Sequence, residues 1–202
     1  MKKIFNIILF ALFGTSFTQA KGNKTFEFTY EGQTLKYEVA NGNEAMVSEQ
    51  QSAKISGDVK IPENVTFAGE KYSVTTIGQK AFFYCDTLTS VSIPNSVTTI
   101  GTEAFGNCRG LTSITIPNSV KTIEASAFWG CEGLTNVFLP NSVETIEASA
   151  FGSCENLKSI DVAKDNSHYS SENGVLFDIS KKTLIQYPCG IKGKYVIPNS
   201  VT

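Results

Sequence analysis

The sequence from Leu88 to Gly110, LTSVSIPNSVTTIGTEAFGNCRG, is followed directly by two further copies of itself. The second copy is LTSITIPNSVKTIEASAFWGCEG, from Leu111 to Gly133, and the third is LTNVFLPNSVETIEASAFGSCEN, from Leu134 to Asn156. The period is therefore 23 residues. Self-similarity at a fixed period of roughly 20–50 residues indicates a stacked array. We expect a solenoid in which each copy is one coil.

Each copy has the pattern of a β-rich coil. Apolar and polar residues alternate over residues 88–93, which predicts a half-buried strand. Proline, asparagine and serine at 94–96 predict a turn, and residues 97–100 continue as a second short extended segment. In residues 104–108, Ala104, Phe105 and Cys108 have the spacing of a single helical turn. A lone coil cannot bury these apolar groups, so coils must stack on their neighbours.

Stacking would place equivalent residues in columns, since neighbouring strands lie about 4.8 Å apart. The predicted core columns are Leu88, Leu111, Leu134 and Leu157, and Phe82, Phe105, Phe128 and Phe151.

The pattern divides the chain into three parts. Residues 1–20 are predicted to be a signal peptide, 21–58 an N-terminal β-hairpin cap, and 59–202 the solenoid. A hairpin insertion is expected at about 163–190, where Asn-Gly at 173–174 is a turn signal. The last repeat is incomplete, so we expect the chain to be the N-terminal part of a longer array.

The first residues predict export. Lys2 and Lys3 precede an apolar run, Ile4–Phe13, and small residues close the segment at Thr18–Ala20. The alternative is a retained membrane anchor, but about 10 apolar residues span only about 15 Å of a hydrocarbon core of about 30 Å. We expect cleavage after Ala20, secretion or display on the cell surface, and no membrane span in the mature protein.

The formal net charge is −2 and no basic run stands out, which argues against nucleic acid as the main partner.

The cysteines at 85, 108, 131 and 154 recur with the repeat period rather than in C-x-x-C pairs, which makes a zinc site improbable. Export raises the possibility of disulfides. Parallel side chains in a column would, however, lie near 5 Å apart, and a bridge needs about 3.5–4.5 Å between Cβ atoms. We expect buried free thiols.

Catalytic chemistry is not expected. His168 is the only histidine and lies in a polar loop. Glu124 and Glu147 are one period apart, and two neighbouring carboxylates could suggest glycoside hydrolysis. The repeat itself forces any recurring Glu into such a column, so the simpler interpretation is structural. No cofactor and no metal site are predicted.

Several recurring motifs resemble BspA-like leucine-rich repeats. They are IPNSV at 93–97 and 116–120, the AF-x-x-C blocks, and ENGVLF at 172–177 followed by TLIQYP. The general consensus asparagine or cysteine falls on Ser96, Ser119 and Ser142, so the usual asparagine ladder is absent. The resemblance implies a bacterial surface or secreted protein, in a class associated with adhesion to host proteins or other cells.

The predicted function is binding of an extracellular protein or glycan through the outward face of one repeat sheet. That sheet is mostly small and polar, and Phe138 interrupts it. The candidate contact residues are Phe138, Asn136, Thr115, Asp161 and Trp129. For Phe138 the alternative is a surface aromatic with no role, and for Trp129 an indole lying over a neighbouring glycine. The rival functions are a noncatalytic glycan-binding accessory and a structural spacer array.

Overall fold

The structure is a computed structural model that describes residues 24–51 and 54–202. The predicted signal peptide, residues 1–20, lies outside this range. The described residues form strands and turns without an α-helix. In chain order the strands are β1 (Thr25–Tyr30), β2 (Gln33–Val39), β3 (Glu44–Val47), β4 (Gly57–Lys60), β5 (Asn64–Phe67), β6 (Glu70–Ile77), β7 (Leu88–Ser92), β8 (Thr99–Ile100), β9 (Ser113–Thr115), β10 (Thr122–Ile123), β11 (Asn136–Leu139), β12 (Thr145–Ile146), β13 (Ser159–Val162), β14 (Tyr169–Glu172), β15 (Val175–Asp178) and β16 (Leu184–Gln186).

One series of strands carries the outward residues chosen from the sequence. Strands β4, β7 and β9 pair in parallel, with Val91 between Val59 and Ile114. Strands β11 and β13 form a second parallel pair, in which Phe138 lies opposite Asp161. No pairing joins β9 to β11 in the described chain. The expectation of one continuous sheet is therefore wrong, and the series consists of two sheets.

The second series is continuous. Strands β6, β8, β10 and β12 are parallel, and residues 23 apart, such as Ile100 and Ile123, lie opposite each other. The sheet continues at its N-terminal side through β3, β2 and β1. Strands β1 and β2 form the expected hairpin, whose turn residues Glu31 and Gly32 have φ angles of 47° and 82°. Strand β3 was not predicted, and it is the strand that joins this hairpin to the solenoid.

The segment predicted as a helical turn is instead a run of tight turns. In the copy that starts at Leu88, the amides of Ala104, Gly106 and Cys108 each donate to the carbonyl three residues earlier. The intervening amides, those of residues 103, 105 and 107, donate to the next coil instead. A helical turn would keep successive amides inside its own backbone, so the prediction of one short helix per coil is wrong. We call this part of each coil the turn segment.

The predicted columns form the core. Phe82, Phe105, Phe128 and Phe151 are buried, and successive rings stack with centroids 5.2, 5.2 and 5.3 Å apart and nearly parallel planes. The leucine column at 88, 111, 134 and 157 is fully buried. The coil step is therefore close to 5.2 Å at the phenylalanine column.

Cysteine and serine together replace the missing asparagine ladder. The five cysteines are free thiols, and the four in the repeat column are buried. The Sγ atoms of Cys108, Cys131 and Cys154 each donate to a phenylalanine carbonyl in the preceding coil, at 2.9–3.1 Å. In the IPNS turns, Ser96 and Ser119 donate to carbonyls of the coil before, each at 2.7 Å. Each of these phenylalanine carbonyls also accepts from the backbone amide three residues later, so the thiol supplies a second hydrogen bond that links neighbouring coils.

The C-terminal part departs from the repeat. Strands β14, β15 and β16 form an antiparallel sheet at the expected insertion. The sequence predicted a hairpin from β15 and β16, while the polar strand β14 was not predicted. Residues 195–198 lie in the incomplete last repeat, form no strand, and leave Val196 and Ile197 exposed.

Candidate binding surface

Three of the predicted contact residues lie together on the sheet of β11 and β13. Asn136, Phe138 and Asp161 all face solvent. The Asn136 amide donates to Ser159 Oγ at 2.7 Å, and Ser159 Oγ donates to Asp161 Oδ2 at 3.0 Å. These bonds hold a polar surface beside the aromatic ring. We call the exposed side of β11 and β13 the strand face.

Phe138 is the apolar centre of the strand face. Its neighbours Val137 and Leu139 are buried, whereas 56% of Phe138 is exposed. The alternation of a strand places it outward, so it gains little from the core. An aromatic ring in this position is available as an interface anchor.

Thr115 lies on the other side of the break in this series. It is exposed on β9, which pairs with β7 and not with β11. The same coil step carries a second irregularity, because Ser142 Oγ is buried and has no hydrogen-bond partner within the described residues. The structure therefore does not join Thr115 to the other strand-face residues by a backbone ladder.

A separate polar cluster lies at the N-terminal end of the same series. Asp58 Oδ1 accepts hydrogen bonds from Ser90 Oγ at 2.6 Å and from Thr89 Oγ1 at 2.9 Å. The bonds from Ser90 and then Thr89 lower the pKa of the Asp58 carboxyl. These hydrogen bonds favour the ionised form of Asp58 on the exposed side of β4 and β7.

Trp129 belongs to a different part of the coil. It lies in a turn segment, and 40% of its side chain is exposed. A Cβ built on Gly152 would lie 2.9 Å from Trp129 Cδ1, so the indole covers the bare backbone of the next coil. The structure thus separates Trp129 from the strand face, and the glycine packing expected as the alternative is present.

The glutamates considered for catalysis bind backbone. Glu124 Oε2 accepts from the amide and the hydroxyl of Thr102, both at 2.9 Å. In the following coil, Glu147 Oε2 accepts from the amide of Ala125 at 3.0 Å. Each carboxylate therefore links its coil to the preceding one.

His168 and the acidic residues do not assemble into a recognisable metal site. His168 Nδ1 lies 3.1 Å from Ser167 Oγ in an exposed loop. Residues 24–51 and 54–202 contain no group of three or more His, Cys, Asp or Glu side chains placed to hold a metal ion.

Two aromatic residues of the turn segments were missed from the sequence. Tyr84 is 47% exposed, and Phe83 packs edge-on against it with ring centroids 4.5 Å apart. The available signal was the column through positions 83, 106, 129 and 152, in which an aromatic residue alternates with glycine.

The parallel coils, the buried columns and the polar outward strands define a β-rich repeat solenoid of the leucine-rich-repeat type. The model of the BspA-type leucine-rich-repeat region matches residues 75–191 in six copies, which is more than half of the chain. The chain belongs to this family.

Solved structures of bacterial proteins share the fold. A leucine-rich-repeat protein from Bacteroides capillosus is 29% identical, with a TM-score of 0.59, over 64% of this chain and 94% of that one. The pneumococcal vaccine antigen PcpA is 21% identical, with a TM-score of 0.59, over 87% of this chain. A leucine-rich cell surface protein from Faecalibacterium prausnitzii is 22% identical, with a TM-score of 0.50, over 87% of this chain and 65% of that one.

The chain spans 60% of the PcpA structure. No curated protein matches the chain. Across the described residues, no helix has the length and apolar character needed to cross a membrane.

Proposed function

We propose that this protein is a secreted or cell-surface binding module that attaches to an extracellular protein through the strand face. The exposed ring of Phe138 beside the hydrogen-bonded group of Asn136, Ser159 and Asp161 carries the proposal. Interfaces commonly combine a central aromatic anchor with a polar surround that excludes water.

The composition of the strand face suits a protein partner. Its outward side chains are short apart from Phe138, so a partner backbone can approach closely. The backbone groups of β11 and β13 are paired in register, which makes the surface rigid. A rigid surface loses little conformational entropy when it binds.

Action outside the cell is supported from two directions. The first twenty residues have the pattern of an export signal. Two proteins with similar structures are a leucine-rich cell surface protein and a pneumococcal vaccine antigen. Adhesion to host proteins or to other cells is the corresponding role that we propose for the mature chain.

The test is a binding assay on the mature chain, residues 21–202, against a panel of immobilised extracellular-matrix proteins. Phe138→Ser should weaken binding by about tenfold or more, as expected when an interface anchor is truncated. Thr99→Ala is the matched control, because Thr99 lies on β8, outside the strand face. Both variants should melt within about 3 °C of the parent, since neither side chain is in the core.

Unchanged affinity of a folded Phe138→Ser variant would show that the strand face is not the contact surface. Absence of binding to every member of the panel would favour the spacer array instead.

A further inference from the structure

The outward side of the turn segments forms a second surface, which we call the turn face. One of its columns contains Phe83, Gly106, Trp129 and Gly152. The column beside it contains Tyr84, Asn107, Gly130 and Ser153. Three of these eight positions are aromatic and three are glycine, so few side chains block the approach to the rings.

The two rings of the first column each lie over the glycine of the next coil. A Cβ built on Gly106 would lie 2.8 Å from Phe83 Cδ2, and a Cβ on Gly152 would lie 2.9 Å from Trp129 Cδ1. Trp129 keeps 40% of its surface exposed, whereas Phe83 is half-buried between the Lys80 ammonium and the edge-on ring of Tyr84. Phe83 and Trp129 are two coils apart, and each coil step is 5.2 Å at the phenylalanine column.

Asn107 adds a polar group to the turn face. Only 6% of the residue is exposed, but its amide atoms are not among the buried, unpartnered polar atoms of residues 24–51 and 54–202. A Cβ built on Gly130 would lie 2.6 Å from Asn107 Oδ1, so the amide lies against the backbone of Gly130, the residue that follows Trp129. An amide in this position can both donate and accept hydrogen bonds.

The backbone alone does not explain this asparagine. Asn107 has a φ of 58°, a conformation that asparagine tolerates well. The equivalent positions adopt a positive φ with Tyr84, Gly130 and Ser153. The left-handed conformation is therefore compatible with other residues at this position, so it does not by itself require the amide group.

The charges of the turn face disfavour an anionic ligand. The ammonium of Lys80 is 5.0 Å from the Phe83 ring centroid and 3.5 Å from Glu103, so it is already partnered. Glu103, Glu124 and Glu147 place three carboxylates on successive turn segments. Sulfated or uronic polymers and nucleic acids would be repelled by this arrangement.

We propose that the turn face binds a neutral, linear glycan whose sugar rings stack on Trp129 and on the Phe83–Tyr84 pair and whose hydroxyls bond the Asn107 amide. The C–H face of a pyranose is complementary to an exposed aromatic ring. An amide that both donates and accepts suits neighbouring hydroxyl groups. This site lies outside the strand face, so the two surfaces can fail or succeed independently.

The experiment uses the intrinsic fluorescence of Trp129, which is the only tryptophan in the chain. The mature protein is titrated with neutral hexasaccharides of β-linked glucose, xylose and mannose, and with heparin as the anionic control. At least one neutral oligosaccharide should change the emission saturably, and heparin should not. Affinity electrophoresis in gels containing the matching soluble polysaccharide measures the variants, including those without the fluorophore.

Trp129→Ala and Tyr84→Ala should each weaken the interaction by about tenfold, as for truncated anchor residues, while Trp129→Phe should retain most of it. Asn107→Ala should weaken it with an unchanged melting temperature. The matched control is Phe138→Ser, which should bind the polysaccharide like the parent.

Three outcomes would overturn the proposal. They are no response to any neutral oligosaccharide, equal affinity of folded Trp129→Ala and Tyr84→Ala variants, and tighter binding of heparin than of the neutral sugars. Loss of glycan binding in Phe138→Ser would also overturn it, by placing the site on the strand face.

Discussion

Replacing Phe128 with alanine tests the stacked core directly. Phe128 has no exposed surface, and its ring lies between Phe105 at 5.2 Å and Phe151 at 5.3 Å. Phe128→Ala therefore removes two ring contacts and opens a cavity in the middle of the column. Phe151→Ala removes one such contact, because the described phenylalanine column ends at Phe151, and it serves as the comparison.

The expected cost follows from burial and stacking. A buried Phe→Ala change costs about 3–5 kcal/mol, and each aromatic pair adds about 0.5–1.5 kcal/mol beyond its buried area. We expect Phe128→Ala to lose about 4–5 kcal/mol of unfolding free energy, and Phe151→Ala to lose about 1 kcal/mol less. For a chain of this size, each kcal/mol lowers the melting temperature by roughly 2–4 °C.

Urea denaturation of the mature chain measures the effect, followed by circular dichroism and by the emission of Trp129, which adjoins Phe128 in sequence. Both probes should report the same transition if the coils unfold together. A loss below about 1 kcal/mol for Phe128→Ala, or a larger loss for Phe151→Ala, would refute the stacked-column account.

Further predictions concern single contacts, the buried thiols and the predicted cleavage site. A Cβ at Gly133 would lie 2.7 Å from the Leu111 carbonyl oxygen. Gly133→Ala should therefore lower the free energy of unfolding, measured by urea denaturation, by more than about 2 kcal/mol. Gly152→Ala should lower it less, because the new Cβ meets the Trp129 side chain, which can move. Glu124→Ala should lose about 1–3 kcal/mol because two Thr102 donors lose their acceptor, and Glu124→Gln should recover most of this; equal losses would contradict it. Burial raises the pKa of Cys85 and Cys154 from 9.0 to about 12, so a thiol reagent at pH 8 should titrate Cys189 alone in the native protein and all five cysteines in denaturant. Since the unfolded thiols ionise first, stability should also fall as the pH rises above 9, and a flat profile would count against buried thiols. N-terminal sequencing of the exported protein should begin at Lys21, and finding Met1 would exclude the predicted cleavage.

The repeat made the core predictable from the sequence, whereas the backbone conformation of the turn segment was not predictable. Periodicity alone identifies the buried phenylalanine and leucine columns. The spacing of Ala104, Phe105 and Cys108, however, fits both a helical turn and a run of tight turns. The two differ at Glu103 and Asn107, where φ is 53° and 58°. Among the equivalent positions only Gly130 is a glycine, and the other residues adopt the same left-handed conformation.

Elements outside the repeat were harder to predict for related reasons. Strand β3 has four residues and only two buried side chains, so its pattern is too short to recognise. Strand β14, with the sequence YSSE, is polar, and its pairing with β15 rather than its own composition forms it.

For the candidate surfaces, the sequence correctly predicted that Phe138 points outward, because strand alternation fixes its direction. Trp129 was a second candidate whose surface the sequence did not define, since position within a coil becomes position on a face only once the turns are known. The break between β9 and β11 was not predicted, because the sequences SITI at 113–116 and NVFL at 136–139 differ but place apolar residues at the same inward positions.

The direction of the hydrogen bonds between coils has a consequence for how genes that encode such repeat arrays can change. The amides of one turn segment donate forward to carbonyls of the next coil. On the continuous sheet the direction is reversed, because the carbonyls of Ile100 on β8 and Ile123 on β10 accept from the amides of Glu124 and Glu147 in the following coil. The two sides of a coil are therefore complementary rather than alike. Recombination that removes or inserts 69 nucleotides, about one 23-residue unit, would preserve the buried leucine and phenylalanine columns wherever the cut falls. The column of Phe83, Gly106, Trp129 and Gly152 alternates over two coils, so preserving it would require two units at a time.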